Sequence, residues 1–336
     1  MDGMVPRQPS PNGVAGSTPM RTDDIGAAPV IRARSLSKHY GEVQAVKDVS
    51  FTVNTGDVYG FLGPNGSGKS TTIAMMLGLV QPTSGQIDLF GLGPARRSEG
   101  LMSVGAIIES PTFYPYLSGR DNMRVLARTR DGVTDARISE VLEIIGLSDS
   151  GSKRYGNYSL GMKQRLGIGS TLLHDPDLLV LDEPTNGLDP AGMLEVRHLI
   201  QRLADGGKTI FISSHLLNEV EQVCNRVAIL SKGKIMAEGS TSDISRKGQA
   251  VRVRVDEPVR AKDVLNKLDG ISSIDERDGY LTISVPASRT PELNVALVQA
   301  GIAVYELGPA GNSLEHVFLE ITGASEEQRA DAHLVE

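Results

Sequence analysis

Cysteine is nearly missing from this 336-residue sequence: Cys224 stands alone, so no internal disulfide can staple the fold. Its spacing from Val220, Val223 and Val227 is that of one apolar helix face, which predicts a buried thiol. Long apolar runs are missing as well. No stretch approaches the roughly 18 residues that a bilayer-crossing helix needs, and the N-terminus lacks the apolar core of a signal peptide. A cytosolic chain is expected. An excess of positive charge is also absent. The 34 Lys and Arg against 41 Asp and Glu leave a formal net charge of −7, which argues against a nucleic-acid-binding surface.

The length exceeds what one core ordinarily fills, so more than one domain is expected. Residues 1–28 are rich in Pro, Gly and Ser and read as a disordered tail. Residues 29–245 form the main α/β unit. Within it, Ile138, Val141, Leu142 and Ile145 share one face of a helix, as suits a helical insert. From residue 246 the pattern changes. Val251, Val253 and Val255 alternate with arginines, and the order that follows is β-α-β-β-α-β, that of a small ferredoxin-like α+β sandwich over residues 246–323. A closing helix, Asn312–Gly323, would pack Leu314, Val317, Phe318 and Ile321 on one face, and residues 324–336 form a second tail. The role of this smaller domain stays open between dimerisation, regulation and a passive cap.

The strongest local signal is Gly63-Pro64-Asn65-Gly66-Ser67-Gly68-Lys69-Ser70. Glycines at 63, 66 and 68 let the backbone turn tightly around a polyphosphate and aim successive N–H groups at it. Lys69 can reach outer phosphates, and the Ser70 hydroxyl can hold Mg²⁺. Asp57–Leu62 reads as a buried strand entering the loop and Ser70–Val80 as a helix leaving it, which places a helix N-terminus beneath the phosphates. A bound nucleoside triphosphate follows. Further on, Leu178–Pro184 is an apolar strand ending in two carboxylates, expected beside the first strand. Asp182 would stand near Mg²⁺, and Glu183 could polarise an attacking water as general base.

Tyr158–Arg165 (YSLGMKQR) lies between the two motifs, and with it the chain resembles the ATP-binding subunit of an ABC transporter. Tyr40 precedes the loop, Asn186–Pro190 follows the carboxylates, and His215 ends the next strand, all in the order of that family, over roughly residues 30–240. The resemblance implies a P-loop ATPase fold with a helical insert, hydrolysing ATP with Mg²⁺. It implies that Tyr40 stacks on adenine, Lys69 and Thr71 hold phosphates, Ser70 and Asp182 organise the metal, and His215 contacts the γ-phosphate. Two subunits, as a homodimer, would pack head to tail, with Asp189 at their junction and Ser159 and Gly161 touching the partner's ATP. A separate membrane permease would carry the substrate, with this chain at the cytoplasmic face of the membrane.

The chain departs from the family pattern at three positions, two in the signature and one before it. Leu160 and Met162 stand where the signature has a glycine and a glutamine, and Glu109 stands where most members have a glutamine that senses the γ-phosphate and Mg²⁺. A carboxylate at Glu109 binds the metal more strongly and repels the phosphate more. The combination looks like the bacterial exporters of bacitracin, lantibiotics and other drugs. Phe113, Tyr114 and Tyr116 lie where a coupling helix of the permease would dock, or else pack their own loop. The alternatives are a soluble ABC-type switch in translation or DNA repair, and a catalytically weak ATP-gated binding module. The single phosphate loop, with no heptad run before Ser159, weighs against the first, and Glu183 against the second.

Overall fold

The computed structural model describes residues 29–109, 111–247, 250–271, 273–277, 279–310 and 318. The expected tails at 1–28 and 324–336, and the expected helix Asn312–Gly323 apart from Phe318, lie outside the described residues. Two long strands, β1 (Pro29–Tyr40) and β2 (Val43–Asn54), open the chain as an antiparallel pair. β3 (Val58–Leu62), α1 (Lys69–Met76), β4 (Ser84–Leu89), α2 (Arg97–Leu101) and β5 (Val104–Ile107) follow. Next come three helices, α3 (Gly119–Ala127), α4 (Asp135–Ile144) and α5 (Leu160–Thr171). The chain returns through β6 (Leu178–Asp182), α6 (Pro190–Asp205), β7 (Thr209–Ser214), α7 (Leu217–Val223), β8 (Arg226–Ser231) and β9 (Lys234–Ser240).

β2, β1 and β4 make an antiparallel sheet, and a six-stranded sheet runs β5-β6-β7-β3-β8-β9, with only β9 antiparallel to its neighbour. β3, β6 and β7 are buried along their whole length, and β3 and β6 as far as Leu181 accordingly read as apolar runs rather than alternating patterns. Between the sheets, Phe51, Tyr59, Phe61 and Phe211 form a ring cluster with centroids 5.2–5.9 Å apart. On the other side, the helical insert buries Ile138, Val141, Leu142 and Ile145 together, as their spacing requires.

Strand order corrects one expectation. β6 does not lie beside β3: β7 stands between them, pairing Leu62 with Ser214 on one side and Asp182 with Ser213 on the other. The end of β7 is thereby wedged between the phosphate loop and the two carboxylates. α1 is also shorter than the apolar pattern to Val80 suggested, because Gly78 turns left-handed at φ +75° and ends the helix.

After β9, α8 (Thr241–Lys247) runs across the boundary placed at residue 245, with Ile244 buried in the core of the first unit. β10 (Ala250–Val255), α9 (Pro258–Leu265), β11 (Ile274–Arg277), β12 (Tyr280–Ile283), α10 (Thr290–Gln299) and β13 (Val304–Ala310) then build a four-stranded antiparallel sheet in the order β11-β12-β10-β13. Val251, Val253, Leu281 and Ile283 face Leu265, Leu293 and Leu297 of the two helices in a core of their own. Phe318, by contrast, is buried with the core of the first unit.

Candidate active site

The carboxyl edge of the parallel strands gathers the residues expected to do chemistry. In spatial order across the sheet, Glu109 follows β5, Asp182 and Glu183 end β6, His215 follows β7, and the loop Gly63–Gly68 follows β3. The loop is wrapped too tightly for side chains at two points. A Cβ at Gly63 would come within 2.4 Å of Ser67 Oγ, and one at Gly68, whose φ is +106°, within 2.7 Å of the Ala45 carbonyl oxygen.

α1 leaves this loop uncapped. Gly68 supplies no side-chain cap and the first turn holds no acid, whereas α3, α4, α5 and α6 are capped by the side chains of Ser118, Thr134, Ser159 and Asp189. The first amides of α1 are thus left to an anion, with the positive end of the helix dipole behind them. Ser67 Oγ is buried and makes no hydrogen bond. An unsatisfied buried hydroxyl costs about 1–3 kcal/mol, which a phosphate oxygen would offset. The loop fits a polyphosphate.

Lys69, 6% exposed, joins the loop to the second motif. Its ammonium donates to the Gly63 carbonyl oxygen at 2.7 Å and lies 3.2 Å from Glu183 Oε1. On the other side of the same carboxylate, His215 Nδ1 sits 2.7 Å from Oε2. Burial pushes the Glu183 carboxyl up, but the hydrogen bond from His215 and the charge of Lys69 outweigh it and hold the group below its ordinary value. The side chain suited to take a proton is therefore kept ionised. Behind it, Ser213 Oγ donates to Asp182 Oδ1 and accepts the Glu183 N–H at 3.0 Å.

Both Glu183, at φ +48°, and Glu109, at φ +62°, hold left-handed backbone, a strain of about 1–2 kcal/mol each for residues with a Cβ. They lie at the ends of neighbouring strands, where strain of this kind commonly accompanies function. Glu109 and Ser70 are exposed and Thr71 half-buried, while Asp182 is buried. Lys69 at the start of α1 and the strand-end residues Asp182, Glu183 and His215 are thus brought into one bonded group.

Four expected residues stand apart from that group. Tyr40, 49% exposed, ends the β1 side of the β1–β2 hairpin, with Lys38 Nζ 5.0 Å from its ring centroid. Ser159 is exposed, and its oxygen accepts the Met162 N–H at 3.2 Å as the cap of α5, leaving its hydroxyl proton free to donate. Asp189, also exposed, caps α6 through the Gly192 N–H at 2.9 Å. Gly161 is buried against Gly192, so its missing side chain serves the close approach of α5 and α6. Leu160, one of the departures, is 50% exposed. The aromatic cluster divides: Phe113 packs edge-on to Tyr155 at 5.1 Å, while Tyr114 and Tyr116 stay exposed.

Sequence reasoning missed Ser213 and the Lys69–Glu183 pair. The signal for the first was a serine directly after the apolar run Ile210–Ile212 in a buried strand, where a hydroxyl needs a partner. The pair was not visible, since it depends on which strands are neighbours.

Comparison with known proteins points to one family. A family model described as ABC transporter matches residues 46–186. An uncharacterized ABC transporter ATP-binding protein, YhcH of Bacillus subtilis (strain 168), is 40% identical over 302 residues, covering 89% of this chain and 98% of its own length. The bacitracin transport ATP-binding protein BcrA of Bacillus licheniformis is 40% identical over 298 residues, 88% of this chain and 97% of its own. A solved ATP-binding subunit of an ABC transporter superposes with a TM-score of 0.57 at 30% identity, covering 65% of this chain and 92% of that one. The chain belongs to the ATP-binding subunits of ABC transporters and is an ATPase. The soluble-switch alternative is not favoured, since these relatives match along nearly their whole length.

Proposed function

We propose that this chain powers export of a drug or antibiotic peptide through a separate membrane permease, pairing with a second copy around two ATP at the cytoplasmic face of the membrane. The observation that carries the reading is the bonded chain from the Gly63 carbonyl through Lys69 and Glu183 to His215, set beside an uncapped helix start. The exporter class rests on the identity to the bacitracin transport protein. The ATP-binding domain expected at 29–245 is extended to the end of α8 at Lys247, and the elements from Ala250 to Ala310 are assigned as the smaller unit.

In this reading the loop amides and Lys69 hold the outer phosphates, and Lys69 turns from Glu183 Oε1 to do so. Glu183 Oε1 then accepts the proton of the attacking water, while His215 keeps Oε2 in place. The bond to the leaving ADP oxygen breaks as the new phosphorus–oxygen bond forms. Oxygen donors from Ser70, Asp182 and Glu109 suit a hard cation, and Mg²⁺ held there would neutralise phosphate charge. Tyr40 offers an exposed face for adenine. Ser159 supplies a free hydroxyl proton to the partner's nucleotide.

Exposed Tyr114 and Tyr116, with ring centroids 5.7 Å apart, give the permease an apolar surface to dock on. Among the described residues no helix is long and apolar enough to cross a membrane. The test is affinity purification of the tagged chain from detergent-solubilised native membranes, with mass spectrometry of its company. A stoichiometric multi-spanning protein is the expected result; ribosomal or purely soluble partners would overturn the proposal.

A further inference from the structure

We propose that Ser213 is a positioning residue for hydrolysis, holding the metal-side carboxylate and the general base in register through a single hydroxyl. The inference rests on the roles given above to Asp182 and Glu183. Ser213 is fully buried in β7, the strand wedged between the phosphate loop and the carboxylates. Its Oγ donates to Asp182 Oδ1 and accepts from the Glu183 N–H at 3.0 Å, so both the proton and a lone pair of the hydroxyl are committed. No other described side chain is shown bonding to Asp182.

Three consequences follow from the geometry. With Oδ1 taken by Ser213, the rotation of the Asp182 carboxylate is set, and Oδ2 is left to serve as metal ligand. The Glu183 N–H also reaches the Ser213 carbonyl at 3.2 Å, so hydroxyl and carbonyl of one residue together clamp the backbone where Glu183 takes its left-handed turn at φ +48°. That turn aims the Glu183 side chain at Lys69 and His215 rather than along the strand. Among side chains small enough for this buried position, only serine and threonine carry a strong donor and a strong acceptor on the same atom. Alanine loses both bonds, and cysteine keeps the volume with a weak donor and weak acceptor.

Partners that orient metal ligands from behind ordinarily contribute about 10–100-fold to metal affinity or activity. The full-length protein would be compared with Ser213→Ala, Ser213→Cys and Ser213→Thr, with Lys69→Ala as control. Binding of a fluorescent ATP analogue would be followed with and without Mg²⁺, alongside phosphate release. For Ser213→Ala and Ser213→Cys the Mg²⁺ half-saturation of nucleotide binding should rise about 10-fold and kcat fall about 10–100-fold. Metal-free nucleotide affinity should stay within about twofold, a separation that simple loss of folded protein cannot produce. Ser213→Thr, which restores donor and acceptor, should recover most of both losses. Ser213→Cys with unchanged Mg²⁺ half-saturation and kcat would overturn the proposal. Failure of the site reading itself would look different: Lys69→Ala would then bind nucleotide as the parent does.

Discussion

The carboxyl edge of the ATPase sheet and the open face of the C-terminal sheet both set charged side chains in close contact, yet their surroundings differ. On the C-terminal face, Arg254 pairs with Glu306 at 2.5 Å, Tyr280 donates to the same carboxylate at 2.7 Å, and Arg252 stacks 3.4 Å from the Tyr280 ring centroid. The paired side chains are 46% and 52% exposed, so water competes for every bond. Such exposed pairs contribute little to stability. At the ATPase edge, Lys69 is 6% and Glu183 21% exposed, the backbone is strained, and Ser67 has a buried hydroxyl with no partner. The first cluster satisfies itself; the second is arranged for something to arrive.

If that contrast is right, Lys69→Ala should have the largest effect. Phosphate-release rates should fall at least ~100-fold, the scale for removing a preorganised charge at a reacting phosphate, and ATP binding should weaken with them. Retained turnover would show that the buried cluster is structural. Glu109→Gln comes next. ATP affinity should hold while the Mg²⁺ dependence of turnover shifts by a few-fold, because the mutation removes one of the carboxylates proposed to face the metal. Superimposable Mg²⁺ titrations of mutant and parent would remove Glu109 from the site.

His174 sharpens the comparison by asking whether burial, rather than charge alone, sets the difference. Burial holds its imidazole below the ordinary value, with the charge of Arg130 adding to the effect and the hydrogen bond to the Val104 carbonyl opposing it. The fold therefore favours the neutral ring. The stability it gives is complete above about pH 6.5 and declines as pH falls from there toward the depressed value. Thermal midpoints of His174→Gln should fall less than the parent's between about pH 7 and pH 5.5; parallel curves would contradict the assignment. Smallest of all, Arg254→Met should leave the thermal midpoint nearly unchanged and alter ATP turnover less than about twofold. A large loss of turnover would tie the C-terminal face to the engine.

Much of the engine was legible because its chemistry is local in sequence. Gly63 is forced by its close approach to Ser67 within the same loop, and Asp182 and Glu183 end a strand whose apolar run reveals it. The β-α-β-β-α-β order after residue 249 was legible too, from the alternation of Val251, Val253 and Val255. What escaped was non-local. Nothing in the spacing places β7 between β3 and β6, so the bridge of Ser213 to Asp182 could not be read. Phe113, Tyr114 and Tyr116 looked equivalent, but the backbone turns the first inward and leaves the others outside. The small role of Gly161 as a contact for Gly192 depends on how α5 crosses α6, which no single helix pattern encodes.

The most direct test of the account is Glu183→Gln, assayed for ATP hydrolysis and, in the same samples, for mass in solution by analytical ultracentrifugation with and without ATP. The amide keeps the shape of the side chain but cannot accept the water's proton. Steady-state hydrolysis should disappear while ATP converts monomer into a lasting dimer. A variant that still hydrolyses ATP at the parent's rate would contradict the assignment of Glu183 as the base, and a loss of hydrolysis without an ATP-dependent dimer would contradict the shared site.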